Sequence, residues 1–214
     1  MTTYKEKFDS LYQLIARANG VFYSWRGLQK KEYEKIFNNN KAFWVSTLIS
    51  MEENWLNQLA NLYEEGKYSK SGKLISIPSL IIDLENTGLI TKANAAKKII
   101  KKNYGIIKNI GILRNHQLSH NNVDHLINPK NLLKKFPIKY KKVEDLLKIS
   151  GKLLSALNPD KDHGYAFERF NEDAERDSQE VIKKLAYFEK LKSEHLKKFK
   201  SGEVNSPMFP PEEA

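Results

Sequence analysis

The sequence predicts an all-α protein, and three observations carry that expectation. Apolar residues recur at steps of three and four over long stretches, no internal repeat or strand-like alternation interrupts them, and the breaks fall at Asn, Pro and Gly clusters. The 214 residues suffice for one generous domain with a helical appendage.

In chain order, Tyr4 to Asn19 forms the first expected helix, with Phe8, Leu11, Tyr12 and Ile15 on one side and Gly20 as its stop. Residues 21–27, VFYSWRG, read as an aromatic connector, and a short helix follows over Leu28–Phe37 until Asn38-Asn39-Asn40 interrupts it. Lys41 to Glu65 is a principal helix whose apolar stripe holds Trp44, Leu48, Met51, Trp55, Leu59, Leu62 and Tyr63. Glu52 falls within that stripe, whereas Glu53 and Glu64 point away from it. Residues 66–73, GKYSKSGK, form a loop by composition, and a short helix starts near Pro78 and stops near Gly88.

The best amphipathic stretch runs from Thr91, a good N-cap, to about His120. Ala95, Ala96, Ile99, Ile100, Ile106, Ile107, Ile110, Leu113 and Leu118 share one face. Arg114 interrupts that face, where a charge is costly unless it is paired, and Glu52 is the expected partner. Gly111, one turn earlier, leaves room for a neighbouring backbone, a partner subunit or a ligand, or else lets helices pack tightly. Asn128-Pro129 caps a small helix that ends by Phe136-Pro137, a further helix covers Lys139–Leu157, and Asn158-Pro159-Asp160 ends it. The last helix, about Tyr165 to Phe199, has one narrow apolar seam, suited to packing along the bundle or along a second copy. The expected organisation is a helical domain over 1–160, the long helix within 161–200, and a disordered tail over 201–214.

The chain has no cysteine, no apolar run of signal-peptide type at MTTYKEKFDS and no window of transmembrane length, so a soluble, cytoplasmic protein is expected, with no membrane partner. The formal charge of +10 is uneven. Residues 91–152 hold 15 Lys or Arg against Asp124, Glu144 and Asp145, while the remainder is slightly acidic. Such a concentration suits a polyanion, foremost a nucleic acid; a lysine-rich solvated surface is the other reading.

The stretch Arg114-Asn115-His116-Gln117-Leu118-Ser119-His120 combines a phosphate-binding guanidinium with an imidazole able to move protons at neutral pH. Together they can cleave RNA without metal, the base drawing a proton from the ribose 2′-hydroxyl that attacks phosphorus. On one ideal helix the two side chains stand about 120° and about 9 Å apart. They converge if the helix frays at Ser119-His120 or if two chains meet across a two-fold axis, so a homodimer is expected. A different chemistry would use His116 and His120, four apart, with Asp124 or His125 as further ligands of a hydrolytic metal, although Gln117 stands where a zinc protease carries glutamate.

The segments AFWVSTLISMEENWLNQLANLYEEG, SIPSLI and ILRNHQLSH resemble the HEPN superfamily, and within it the AbiU type named for abortive infection, over roughly residues 5–160. The resemblance implies an all-α, usually dimeric domain, often a metal-independent ribonuclease of toxin–antitoxin or phage-defence systems, with RNA as substrate, no cofactor, and an antitoxin or nucleotidyltransferase as a further partner. By position, it implies that Arg114 stabilises the scissile phosphate, His120 is the acid–base residue and Asn115 orients its neighbours. The same resemblance also covers non-catalytic members that bind nucleotides or proteins.

Overall fold

The computed structural model describes residues 3–64, 75–118, 138–158 and 167–204, apart from the side chains of 116–118. All regular structure among them is helical: α1 (Tyr4–Gly27), a 3-10 turn (Lys31–Tyr33), α2 (Glu34–Asn39), α3 (Lys41–Leu62), α4 (Ile77–Asn86), α5 (Ile90–Lys102), α6 (Tyr104–Leu118), α7 (Tyr140–Leu157) and α8 (Glu168–Lys200). The expected small helix over 129–136, Tyr165 and the tail beyond 204 lie outside the described residues.

Helix α1 is the central strut. Thr3 caps it through a reciprocal box with Glu6, and Phe8, Leu11, Ile15, Ala18 and Phe22 are buried along it. It packs chiefly on α3 and α8, with α7 and α4 also against it. The helix does not stop at Gly20, and the aromatic stretch is no connector. Phe22, Tyr23 and Trp25 continue the buried stripe at helical spacing, and this burial outweighs the cost of one interior glycine, about 1 kcal/mol. Their rings form an aromatic cluster: Phe22 meets Trp55 edge-on at 5.4 Å, and Trp25 lies 5.8 Å from Trp55 and 5.0 Å from Tyr140. Tyr23, Trp25 and Phe167 are therefore core residues.

The glycines of α1 have a second use. A Cβ on Gly27 would stand 2.3 Å from Ser178 Oγ and 2.6 Å from the Glu175 carbonyl, so α8 crosses α1 at a distance only glycine permits. Gly20 lies under the Phe170 ring, 3.3 Å from where its Cβ would be.

The expected single helix over 91–120 is two. Its start is Ile90, after Gly88 at φ +81°, and it breaks at Asn103. The Asn103 side chain donates to the Ile99 carbonyl at 2.9 Å, its backbone N–H turns to Ile100, and its carbonyl accepts the first bond of α6 from Ile107. Gly105 lowers the helix preference next to this break. The two pieces keep a common inner face of Ala93, Ala96, Ile110 and Leu113, with Ile99, Ile100, Ile106 and Ile107 partly buried, whereas Ala95 is exposed.

Helix α8 is about 50 Å long. Its first half lies on α1, and Ile182 joins a small cluster with Leu28, Tyr33 and Trp44. Beyond Ile182 none of its residues is fully buried. Among the described residues, no helix is long and apolar enough to cross a membrane.

Gly27→Ala should lower the unfolding free energy by about 1–3 kcal/mol in urea denaturation, because the added methyl meets backbone that cannot yield. Gly20→Ala, which meets only the edge of one ring, should cost less.

Candidate functional site

Helix α6 lays Ile110 and Leu113 against the core, and both are nearly inaccessible. Arg114 follows at the edge of that face, its side chain 17% exposed. Its guanidinium is held on two sides. Nη1 donates to Asn61 Oδ1 and to Glu64 Oε2, each at 2.9 Å, and Nε donates to Asn115 Oδ1 at 3.0 Å. Among the described residues Nη2 has no hydrogen-bond partner.

The carboxylate partner is thus Glu64, and the expected Glu52–Arg114 pair does not form. A helical wheel ranks residues by angle alone. Glu52 stands nine residues, roughly 14 Å, before Asn61, the level of α3 at which Arg114 arrives. Glu64 escapes the wheel because it lies past the end of α3, where Tyr63 already has non-helical dihedrals. Its backbone is fixed instead by Ser76, which is fully buried, donates from Oγ to the Glu64 carbonyl at 2.8 Å, and caps α4 by accepting from the Ser79 N–H at 3.3 Å. Tyr63, next to Glu64, is anchored on α7: its hydroxyl lies 2.7 Å from Ser150 Oγ and 3.3 Å from the Leu146 carbonyl. Burial pushes that phenol far above its usual range, so it stays neutral and bonded.

Asn61, Glu64 and Ser76 escaped the sequence reading. Ser76, just before Ile77-Pro78, has the form of an N-cap and could have been found; nothing in the spacing points to Asn61.

Glu52 serves elsewhere. It is half-buried, and burial first, then the charge of Glu53, pushes its carboxyl pKa up. Its own charge acts with burial to raise the Tyr140 phenol. A Cβ on Gly111 would meet nothing within 4 Å, so this glycine does not serve tight packing among the described residues. His120, Asp124 and His125, together with the side chain of His116, lie outside the described residues. Among the described residues, no group of three His, Cys, Asp or Glu could hold a metal ion.

The two carboxylates should separate by mutation and by pH. Glu64→Gln should weaken the hold on Arg114 and lower stability by about 1 kcal/mol, as expected of a half-exposed ion pair. Glu52→Gln should stabilise the protein at neutral pH. Its raised carboxyl means that the folded chain binds this proton more tightly than the unfolded chain, so ionisation opposes folding. The gain over the parent should be absent in acid, below the ordinary glutamate pKa, and should grow as pH rises through and above it. Denaturation midpoints measured from pH 3 to 8 check both sign and window.

No curated protein and no solved structure matches the chain at a significant level. The family model HEPN AbiU2 matches residues 1–181, and so takes in the first half of α8, which the shorter resemblance over 5–160 left out. The match runs from the start of α1 to the residue before Ile182, the last buried position of α8, and includes Asn61, Glu64, Ser76 and Arg114. The all-helical bundle and this match agree: the chain belongs to the AbiU2 family of HEPN proteins.

Proposed function

We propose that this protein is a metal-independent endoribonuclease of the HEPN type, an effector of abortive infection. Its substrate is RNA, and its active site is completed across a homodimer. Arg114 binds the scissile phosphate and stabilises the charge that builds on its oxygens as the 2′-oxygen attacks. His120 takes the 2′-hydroxyl proton, the bond from phosphorus to the 5′-oxygen breaks, and that oxygen is protonated by solvent water, giving a 2′,3′-cyclic phosphate and a 5′-hydroxyl. Asn115, bonded to Nε, holds the guanidinium plane. Neither the proton transfers nor the phosphate charge needs a bound ion when the guanidinium and imidazole supply both functions.

The observation that carries this reading is the state of Arg114: a cation at the rim of an apolar face, still open to solvent, fixed through Nη1 and Nε with Nη2 turned to no described residue. It stands in the segment that concentrates the positive charge, which raises the local concentration of a polyanion. The open space at Gly111 suits a second subunit or the substrate. An antitoxin or nucleotidyltransferase encoded beside the gene would fit the same role.

The ion pair with Glu64 favours a second reading, in which Arg114 is structural and the domain binds nucleotides or proteins without cleaving. The two readings diverge under mutation. Arg114→Ala and His120→Ala should each reduce RNA cleavage at least 100-fold with the assembly intact, and cleavage by the parent should persist in EDTA. Full cleavage by Arg114→Ala would remove the catalytic assignment, and loss of cleavage in EDTA would restore the His116–His120 metal alternative. Gly111→Ala should leave monomer stability unchanged or raise it by up to about 1 kcal/mol while impairing cleavage, which a purely structural glycine would not do.

A further inference from the structure

The outward side of α8 carries an organised apolar surface that the bundle covers only in part, at Phe170 and Ala174. At about 100° per residue, Phe170, Ala174, Val181, Leu185, Phe188 and Phe199 fall within an arc of about 60°. Of these, Phe170 (47%), Val181 (54%), Leu185 (38%) and Phe199 (38%) are solvent-exposed, and Leu196 (45%) borders them. Asn171 and Ile182, which face the bundle, lie about a quarter turn further round.

The charge on α8 is divided at the same place as its packing. Residues 168–182 hold six acidic side chains against Arg169 and Arg176, whereas residues 183–200 hold seven lysines against Glu189 and Glu194. A helix with one acidic and one basic half repels a parallel copy and attracts an antiparallel one. The apolar positions obey the same relation. Two antiparallel copies with their two-fold axis between Lys184 and Leu185 set Phe170 opposite Phe199, Asp177 opposite Lys192, and Val181 opposite Phe188, with Leu185 beside the axis.

The bundle leaves room for this. A groove of about 550 Å³ along the junction of α1 and α8 is lined by Gly20, Ser24, Phe170, Asp173, Asp177 and Val181, an apolar trough with an acidic wall. Arg176 pairs with both aspartates, at 2.7 and 3.6 Å, so the wall keeps a net negative charge. The basic half of a second α8 has the matching chemistry.

The geometry points to α8 as a self-association surface: two copies of this chain pair antiparallel through α8, the lysine-rich half of each lying in the acidic groove of the other. This pairing is separate from the composite active site and does not rest on it. Leu185 adjoins Trp44 at the start of α3, whereas Arg114 is held at Asn61 near its end, about 25 Å away along that helix. The exposed half of α8 also lies beyond residues 1–181, the part matched by the family.

The absence of cysteine makes a direct test available. Under mild oxidation at tens of micromolar, Leu185→Cys should give a disulfide-linked dimer, and Lys190→Cys, on the far side of the helix, should not. Phe199→Cys alone should stay unlinked, but mixed with Phe170→Cys it should form the crossed pair. Leu185→Asp should halve the mass seen by sedimentation while its circular dichroism stays that of the parent, since Leu185 lies outside the core. A Leu185→Cys protein linked no better than Lys190→Cys, or an undiminished mass for Leu185→Asp, overturns the pairing. Self-linkage of Phe199→Cys overturns its antiparallel sense. If Leu185→Asp instead weakens RNA binding while Leu185→Cys stays unlinked, the surface serves RNA and the inference fails.

Discussion

A guanidinium at the edge of an apolar helix face must be given partners, and that constraint shapes this end of the molecule. Desolvating the cation without them would cost several kcal/mol. Asn61 and Glu64 supply them from the end of α3, and Asn115 from the next position along α6. Glu64 can reach Arg114 because Ser76 holds its carbonyl and Tyr63 is bonded to α7. Three helices and the start of a fourth thus fix the direction of one side chain. An arginine positioned in this way would lose little further freedom on meeting a phosphate, as the proposed reaction requires.

The helices themselves were legible because their periodicity was strong. The apolar stripe of α3, the interruption at Asn38-Asn39-Asn40 and the early Pro78 place the boundaries of α3 and α4 within a few residues of the expectation. Glycine and asparagine were the weaker guides. Gly20 looked like a stop but is interior, because the aromatic run after it has a core to enter; Asn103 looked like an interior residue but is a break, because its side chain competes for the backbone. Local preference decides such positions only when tertiary burial does not. At the site, Arg114 and Asn115 were visible as a departure from the face pattern. Their partners were not, because Glu64 and Ser76 lie off regular helix and pairing between distant segments leaves no trace in spacing.

The packing of α8 follows from one residue that carries no side chain. Gly27 lets α8 come close enough for Ser178 to lie against the backbone of α1, and Ile182 then closes the small cluster around Trp44. Past that point none of its residues is fully buried, and its composition changes from acidic to basic. The family match ends at the same boundary.

On the proposed reading, Arg114 is held ready to meet a phosphodiester. The chain has only five arginines, so their Nε–H resonances can be resolved and assigned by substitution. Titration with a 2′-O-methyl RNA that binds but cannot be cleaved should shift the Arg114 Nε–H signal, saturably and more than the signals of Arg17, Arg26, Arg169 and Arg176. An Arg114 signal that stays in place while the RNA demonstrably binds would contradict that role.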